Sequence, residues 1–286
     1  MRILIGYNGS EPARAAVLDL RHAGLPAEAE AIVLSVVEAS SVLDTAEKAD
    51  FASYEGKIAL KNLFPQWKVE AEIARGFPAN EILDCALSFQ PDLIVVGEHR
   101  AKFDETSFPV GQTSQKVLTE ADCTVRVSRG ASDSDIHSER ILVGFDGSAG
   151  SLNAVNTISS RTWKNKPDVR LLAVADASFL MSIGRFTPQI SDAAVEARFA
   201  SQWAETLAAA SLEKLRNAGV TASVVVKFGH PKETIVKEAE NWHADAIYVG
   251  PHCNCNSFER FLLGSVSSAV AAQAACSVEV VRAPET

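Results

Sequence analysis

"RILIGYNGS" occupies Arg2–Ser10, and "RILVGFDGS" occupies Arg140–Ser148, an offset of 138. Each is a short apolar, β-branched run that breaks into a Gly/Asx/Ser turn, which reads as a strand followed by a helix start. Repetition at a fixed offset marks a duplicated unit. The same offset of 138 relates Ala31–Ser40 ("AIVLSVVEAS") to Val169–Ser178 ("VRLLAVADAS"). The offset then becomes 153, for "GFPANEILDCA" from Gly76 against "GHPKETIVKEA" from Gly229 and for "PDLIVVGEH" (Pro91–His99) against "ADAIYVGPH" (Ala244–His252). It stays 153 for "CTVRVSR" (Cys123–Arg129) against "CSVEVVR" (Cys276–Arg282). Two constant offsets and one jump define two copies, residues 1–130 and 140–286, with 15 extra residues between Ser178 and Gly229 of the second. The segment "GASDSDIHSE" (Gly130–Glu139) is small, polar and acidic, so 131–139 reads as an exposed linker.

Each copy alternates short apolar runs with amphipathic segments. Strands are expected at Ile3–Gly6, Ala31–Val37, Val69–Ala74, Leu93–Gly97 and Thr124–Ser128, then at Ile141–Gly144, Val169–Ala175, Thr221–Lys227, Ala246–Gly250 and Ser277–Arg282. Runs that are nearly all apolar suit parallel strands covered on both faces. Ser148 reads as a helix cap, Pro78 and Pro231 as first-turn residues, and "NAG" at Asn217–Gly219 as a stop. Val195, Phe199, Trp203 and Leu207 recur every fourth residue, which predicts the buried stripe of one long helix. The order β-α-β-α-β-α-β-α-β is an α/β fold: two tandem doubly wound domains, each a five-stranded parallel sheet flanked by helices.

With 286 residues, a net charge of −9 and a pI near 5.2, the chain lacks the dense basic surface that nucleic acid or an anionic membrane needs. No uncharged apolar run approaches the ~20 residues of a membrane span. No secretory signal precedes the first strand, and five cysteines leave no complete disulfide framework, so the expected location is the cytoplasm.

In such a sheet, ligands bind beyond the carboxyl ends of the first and fourth strands, where strand order reverses. In the second copy these ends read "GFDGS" and "YVGPH", and a helix opens at "GSVSSAV". A carboxylate at Asp146 can accept hydrogen bonds from a ribose or an adenine-edge amine. Gly250 permits close backbone approach. Gly264, Ser265 and Ser267 open a helix whose amides and dipole suit phosphate, or they simply turn and cap it.

Taken together, "ILVGFDGS", "KFGHPKETIVKEAE", "DAIYVGPH", "GSVSSAV" and "CSVEVVR" resemble the universal stress protein family, here as a tandem pair spanning Arg2 to Arg282. The resemblance implies an adenine nucleotide alpha hydrolase-like fold. Some members bind ATP through Gly, two residues, Gly, nine residues and Gly-Ser or Gly-Thr, with an Asp after the first strand and a Val of the second against the base. Carried onto this chain, the nucleotide-binding residues are Asp146, Val174, Gly250, Gly264, Ser265, Val266 and Ser267, with His252 and Cys253 in the intervening loop. The second Gly is replaced by Cys253, and ten residues rather than nine precede Gly264. The first copy departs further, with Asn8 for the Asp, Arg100 for the second Gly, and Gly111-Gln112 followed by Thr113 at the helix start. The expectation is a ligand-binding second copy and a mainly structural first copy. The implied ligand is ATP or another adenine nucleotide, with or without Mg. Family protomers often pair through their last strand, which implies an internal pseudo-dimer and leaves a homodimer of whole chains open.

His252, Cys253 and Cys255 form a weak candidate metal or redox cluster, since Cys-x-Cys without a second pair falls short of a zinc pattern. Cys85, Cys123 and Cys276 read as buried, inert thiols, and His230 as a local contact. No Walker lysine, Gly-rich P-loop or Ser-His-Asp order stands out. The leading reading is a non-enzymatic, nucleotide-binding stress-response module that acts on an unidentified protein partner. A nucleotide-free interaction protein and a slow ATPase are the alternatives.

Overall fold

The computed structural model describes residues 1–38, 46–98, 111–130, 138–176, 193–251 and 263–283. The first copy runs β1 (Arg2–Gly6), α1 (Glu11–Asp19), a 3-10 turn (Leu20–His22), β2 (Glu30–Glu38), α2 (Ala46–Leu63), β3 (Lys68–Gly76), α3 (Pro78–Phe89), β4 (Leu93–Gly97), α4 (Gln112–Glu120) and β5 (Thr124–Ser128). The second runs β6 (Arg140–Gly144), α5 (Ala149–Ser160), β7 (Asp168–Ala175), α6 (Ala193–Asn217), β8 (Thr221–Phe228), α7 (Pro231–Trp242), β9 (Ala246–Val249), α8 (Ser265–Gln273) and β10 (Ser277–Val280). No described helix is long and apolar enough to cross a membrane.

The sheet order is β3-β2-β1-β4-β5-β10-β9-β6-β7-β8. Each half is a five-stranded parallel sheet whose order reverses between its first and fourth strands, as the sequence predicts. The halves meet at β5 and β10, which pair antiparallel with Arg126 opposite Glu279 and Val127 opposite Val278. Side chains alternate across that seam. Val125, Val127, Val278 and Val280 point into one apolar core shared by both copies. On the other face each copy keeps its own core, built in the first copy on Ile3, Ile5 and Val33 and in the second on Ile141, Val143 and Leu171.

Between those two separate cores the seam is polar and buried. Arg126 Nε donates to Asp19 Oδ2 at 2.8 Å and its Nη1 to Glu279 Oε2 at 3.2 Å. Ser128 and Ser277, one from each copy, donate to the same Asp19 oxygen. Arg161 donates to both Glu279 carboxylate oxygens and to the Tyr248 hydroxyl, and its guanidinium lies 5.5 Å from the Tyr248 ring centre. Burial by itself would raise the Asp19 carboxyl, but Arg126 and the two serine hydroxyls bring it below the ordinary carboxylate range.

Two further arginines reach across. Arg129 donates from its backbone to Ser277 Oγ at 3.1 Å and from its guanidinium to the carbonyls of Ala271 and Cys276. Arg282 does the same in mirror image, to Thr124 Oγ1 at 3.2 Å and to the carbonyls of Leu118 and Cys123. Each guanidinium sits at the carboxyl end of the other copy's last helix, where the dipole favours a cation.

Three sequence expectations change. The long helix buries Ala200, Ala204, Ala208, Leu212 and Leu215, and Phe199 is 45% exposed. The inward stripe thus lies one residue beyond Phe199, Trp203 and Leu207, because small alanines let the helix lie close to the sheet while the large residues flank it. The helix has 25 residues against 18 in its counterpart α2, so part of the second copy's extra length is helix. Glu139 is no exposed linker residue: it is 3% exposed, and its carboxylate meets His22 Nδ1 at 3.3 Å across the two copies. Strands β9 and β10 stop at Val249 and Val280, short of the expected Gly250 and Arg282, since Arg282 turns away to reach α4.

The hydrogen bond to Glu139 raises the His22 imidazole above its ordinary value, against the opposing effect of burial. The pair therefore stabilises the fold fully below the unfolded histidine pKa, and that contribution is lost as pH rises through the raised folded value. The melting-temperature difference between wild type and His22→Gln, measured from pH 5.5 to 8.5, is expected to shrink as pH rises. A difference independent of pH would contradict the pairing.

Candidate nucleotide site

The site in the second copy begins where β6 ends. Gly144 registers with Leu172 of β7, so Asp146 and Val174 both lie two residues beyond that pair. Val174 is half-buried against the shared core. Asp146 is exposed, and its Oδ1 accepts from the Ser148 amide at 2.9 Å, while Ser148 Oγ caps α5 by accepting from the Ser151 amide. In the first copy Asn8 Oδ1 accepts from the Ser10 amide at 3.1 Å. An amide oxygen thus serves the turn as well as a carboxylate does. The turn does not require the charge at Asp146.

Gly250 follows β9. A Cβ there would lie 2.2 Å from the carbonyl carbon of Gly150. In the first copy a Cβ on Gly97 would lie 2.4 Å from the carbonyl oxygen of Pro12. Both glycines are needed for the first helix of their copy to cross the end of the fourth strand, a packing reason apart from ligand approach.

Helix α8 opens with Gly264 as its N-cap, with no side-chain cap. Ser265 is exposed and Val266 half-buried. Ser267 is 2% exposed, and its hydroxyl donates to the Gly264 carbonyl at 3.0 Å. That hydroxyl holds the first turn together rather than facing outward, which leaves the Ser265 hydroxyl at the mouth. His252, Cys253 and Cys255 lie outside the described residues, as do His99 and Arg100. Among the described residues no group of His, Cys, Asp or Glu is arranged to hold a metal ion.

The first copy fills the corresponding space with its own side chains. Glu98, directly after β4, accepts from the Gly111 amide at the start of α4 at 2.8 Å. It lies where an external anion would meet that helix end. The matching residue of the second copy is Pro251, which has no charge. Around the first-strand turn, Arg14 pairs with Glu55 at 2.7 Å, and burial followed by Glu55 raises the Tyr7 hydroxyl. The second copy has Phe145 at the position of Tyr7 and Leu152 at that of Arg14, with Leu207 against the Gly147 turn. Sequence reasoning missed Glu98, although its contrast with Pro251 is readable once the copies are aligned.

The three described cysteines, Cys85, Cys123 and Cys276, are free and half-buried. Burial pushes the Cys85 and Cys123 thiols up to about 11 and the Cys276 thiol up to about 12. His230 is the exposed N-cap of α7 and makes no side-chain capping bond.

The universal stress protein family model matches residues 1–129 and again 137–282. A universal stress protein relative from Staphylococcus epidermidis is 31% identical over 152 residues, which is 52% of this chain and 87% of that one. A Staphylococcus aureus relative is likewise 31% identical over 149 residues, 51% of this chain and 86% of its own. Among solved structures, a universal stress protein from Archaeoglobus fulgidus superposes with a TM-score of 0.64 at 18% identity, covering 99% of this chain and 97% of its own. A protein of unknown function from Pseudomonas aeruginosa gives 0.64 at 14% identity, covering 98% and 92%. At these identities the two structures share the fold.

The glycine geometry gives a direct test. Gly250→Ala is expected to cost about 2–3 kcal/mol, as overpacking against a backbone does, and to lower the urea midpoint accordingly. An unchanged midpoint would mean that α5 does not lie against the end of β9.

Proposed function

The chain belongs to the universal stress protein family, and on that premise we propose that it is a non-enzymatic stress-response module whose second copy binds ATP or a related adenine nucleotide. One observation carries this reading. The first copy's helix start holds the Glu98 carboxylate on the Gly111 amide, whereas the second copy has Pro251 at the matching position. A helix start that already holds an anion has little left to offer a phosphate.

In this reading Asp146 accepts from the ribose or the adenine amine, and Val174 packs against the base. Gly264 and Ser265 meet the phosphates, with any Mg travelling on them, while Val266 and Ser267 hold the turn. Gly250, His252 and Cys253 belong to the same proposed nucleotide-binding set. The ligand acts by shifting populations between conformers of different affinity for a protein partner, in the cytoplasm. The two copies, 1–130 and 140–286 joined by 131–139, act as an internal pseudo-dimer through β5 and β10. A nucleotide-free interaction protein is the second reading. It is favoured by Cys253 in place of a glycine and by the ten-residue interval before Gly264.

Calorimetric titration of ATP, with and without magnesium, into protein stripped of carried nucleotide decides between them. One site per chain is expected, weakened about 10-fold in Asp146→Ala, as loss of a hydrogen bond to a charged group implies. Two equivalent sites would give the first copy a site as well, and affinity unchanged in Asp146→Ala would move the site away from Asp146. No heat, with no nucleotide released by denaturing the purified protein, would favour the nucleotide-free reading.

A further inference from the structure

The buried seam breaks the symmetry of the repeat in its charges. Arg126 and Glu279 occupy matching positions of the two copies at the offset of 153, and they stand opposite each other in the β5–β10 register. At the earlier offset of 138, Asp19 matches Thr157 and Arg161 matches Ala23. Each copy thus brings one acid and one base, but from different elements. The first brings Asp19 at the end of α1 and Arg126 on β5. The second brings Glu279 on β10 and Arg161 just after α5. They assemble in alternating sign, Asp19–Arg126–Glu279–Arg161, with contacts of 2.8 Å and 3.2 Å at the first two steps. Arg126 and Asp19 are each 1% exposed and Glu279 is 0% exposed, so water screens none of the three.

Two like halves joined in the same register would lose the alternation. A pair of first halves would set Arg126 against Arg126, and a pair of second halves Glu279 against Glu279. Like charges directly opposite on paired strands are unfavourable, and burial enlarges the penalty. The mirror-image clasps of Arg129 and Arg282 give no such discrimination, since both copies carry them.

We infer that the seam is a recognition surface with a charge code: Asp19 and Arg126 make the first half a partner for a second half and refuse a like half. The inference rests on the halves pairing through β5 and β10 as proposed above. It adds that this edge is closed to like-with-like association between chains.

The test uses the full-length chain and a double-mutant cycle on Arg126→Glu, Glu279→Arg and the two combined. Each single reversal places like charges across the seam and is expected to lower the melting temperature by about 10 °C, from the cost of an uncompensated buried charge in a chain of this size. The double reversal should recover about half of the summed loss, because opposite signs face each other again. The remainder reflects Asp19 and Arg161, which then lie beside their own sign. Losses that simply add would overturn the code.

A second readout covers singles that fold poorly alone. The two single variants, differently tagged, are unfolded and refolded together and examined by native mass spectrometry. A reciprocal one-to-one heterodimer is expected, absent from wild-type mixtures, in which one seam is native and the other joins the introduced carboxylate to the introduced guanidinium. No heterodimer, or no gain in refolded yield over the separate variants, would overturn the code. In an otherwise wild-type chain, Val127→Cys with Val278→Cys reports the pairing itself through an intrachain disulfide. That bond forming alongside additive losses would reject the code and keep the seam. Its failure to form would reject the seam.

Discussion

A sheet edge presents a row of backbone amides and carbonyls that must find partners. Each half of this protein ends on such an edge, β5 or β10, and each strand satisfies the other. Much else follows from that one pairing. It sets valines on one face into a core that runs through both copies and sets charged and hydroxyl residues on the other face into a dry gap. It also carries Arg129 and Arg282 past the seam, where they cap the last helices of the opposite copies.

The pairing leaves the carboxyl ends of β6 and β9 available for other work, and the two copies use their equivalent ends differently. In the first copy the turn after β1 is tied down by Arg14 and Glu55, and the start of α4 by Glu98. In the second copy apolar residues replace the ion pair and a proline replaces the acid. The difference between Asn8 and Asp146 belongs to this pattern. Both side chains build the same turn, so the turn itself accepts either the amide or the carboxylate.

The architecture was legible because its signals are local and repeated: apolar runs of strand length, prolines in first helical turns, and two constant offsets. Where the sequence misled, the cause was tertiary. A fourfold spacing of large residues on the long helix looks like a core stripe, yet the sheet accepts Ala200, Ala204 and Ala208 because a small side chain brings the helix axis closer. Tertiary structure also adds what sequence does not show: the Ser267 hydroxyl bonds to the carbonyl of Gly264 in its own turn. Gly250 has a packing reason that the sequence does not show, since the backbone of Gly150 lies where a Cβ would be. The burial of Glu139 beside a polar linker depends on His22, 117 positions away in sequence, and no window of local composition contains both.

The seam also sets a timetable for synthesis. Strand β5 leaves the ribosome long before β10 exists, since about 150 residues separate them and translation proceeds at roughly 5–20 residues per second. For some ten seconds or more the first half carries an unpaired edge with Arg126 and Asp19 on it. In the folded protein those two residues hold each other at 2.8 Å, so the edge strand carries a charged pair on one face and Val125 and Val127 on the other. Under the charge code inferred above, such an edge would disfavour an identical edge on a neighbouring polysome and favour the strand that has yet to be made.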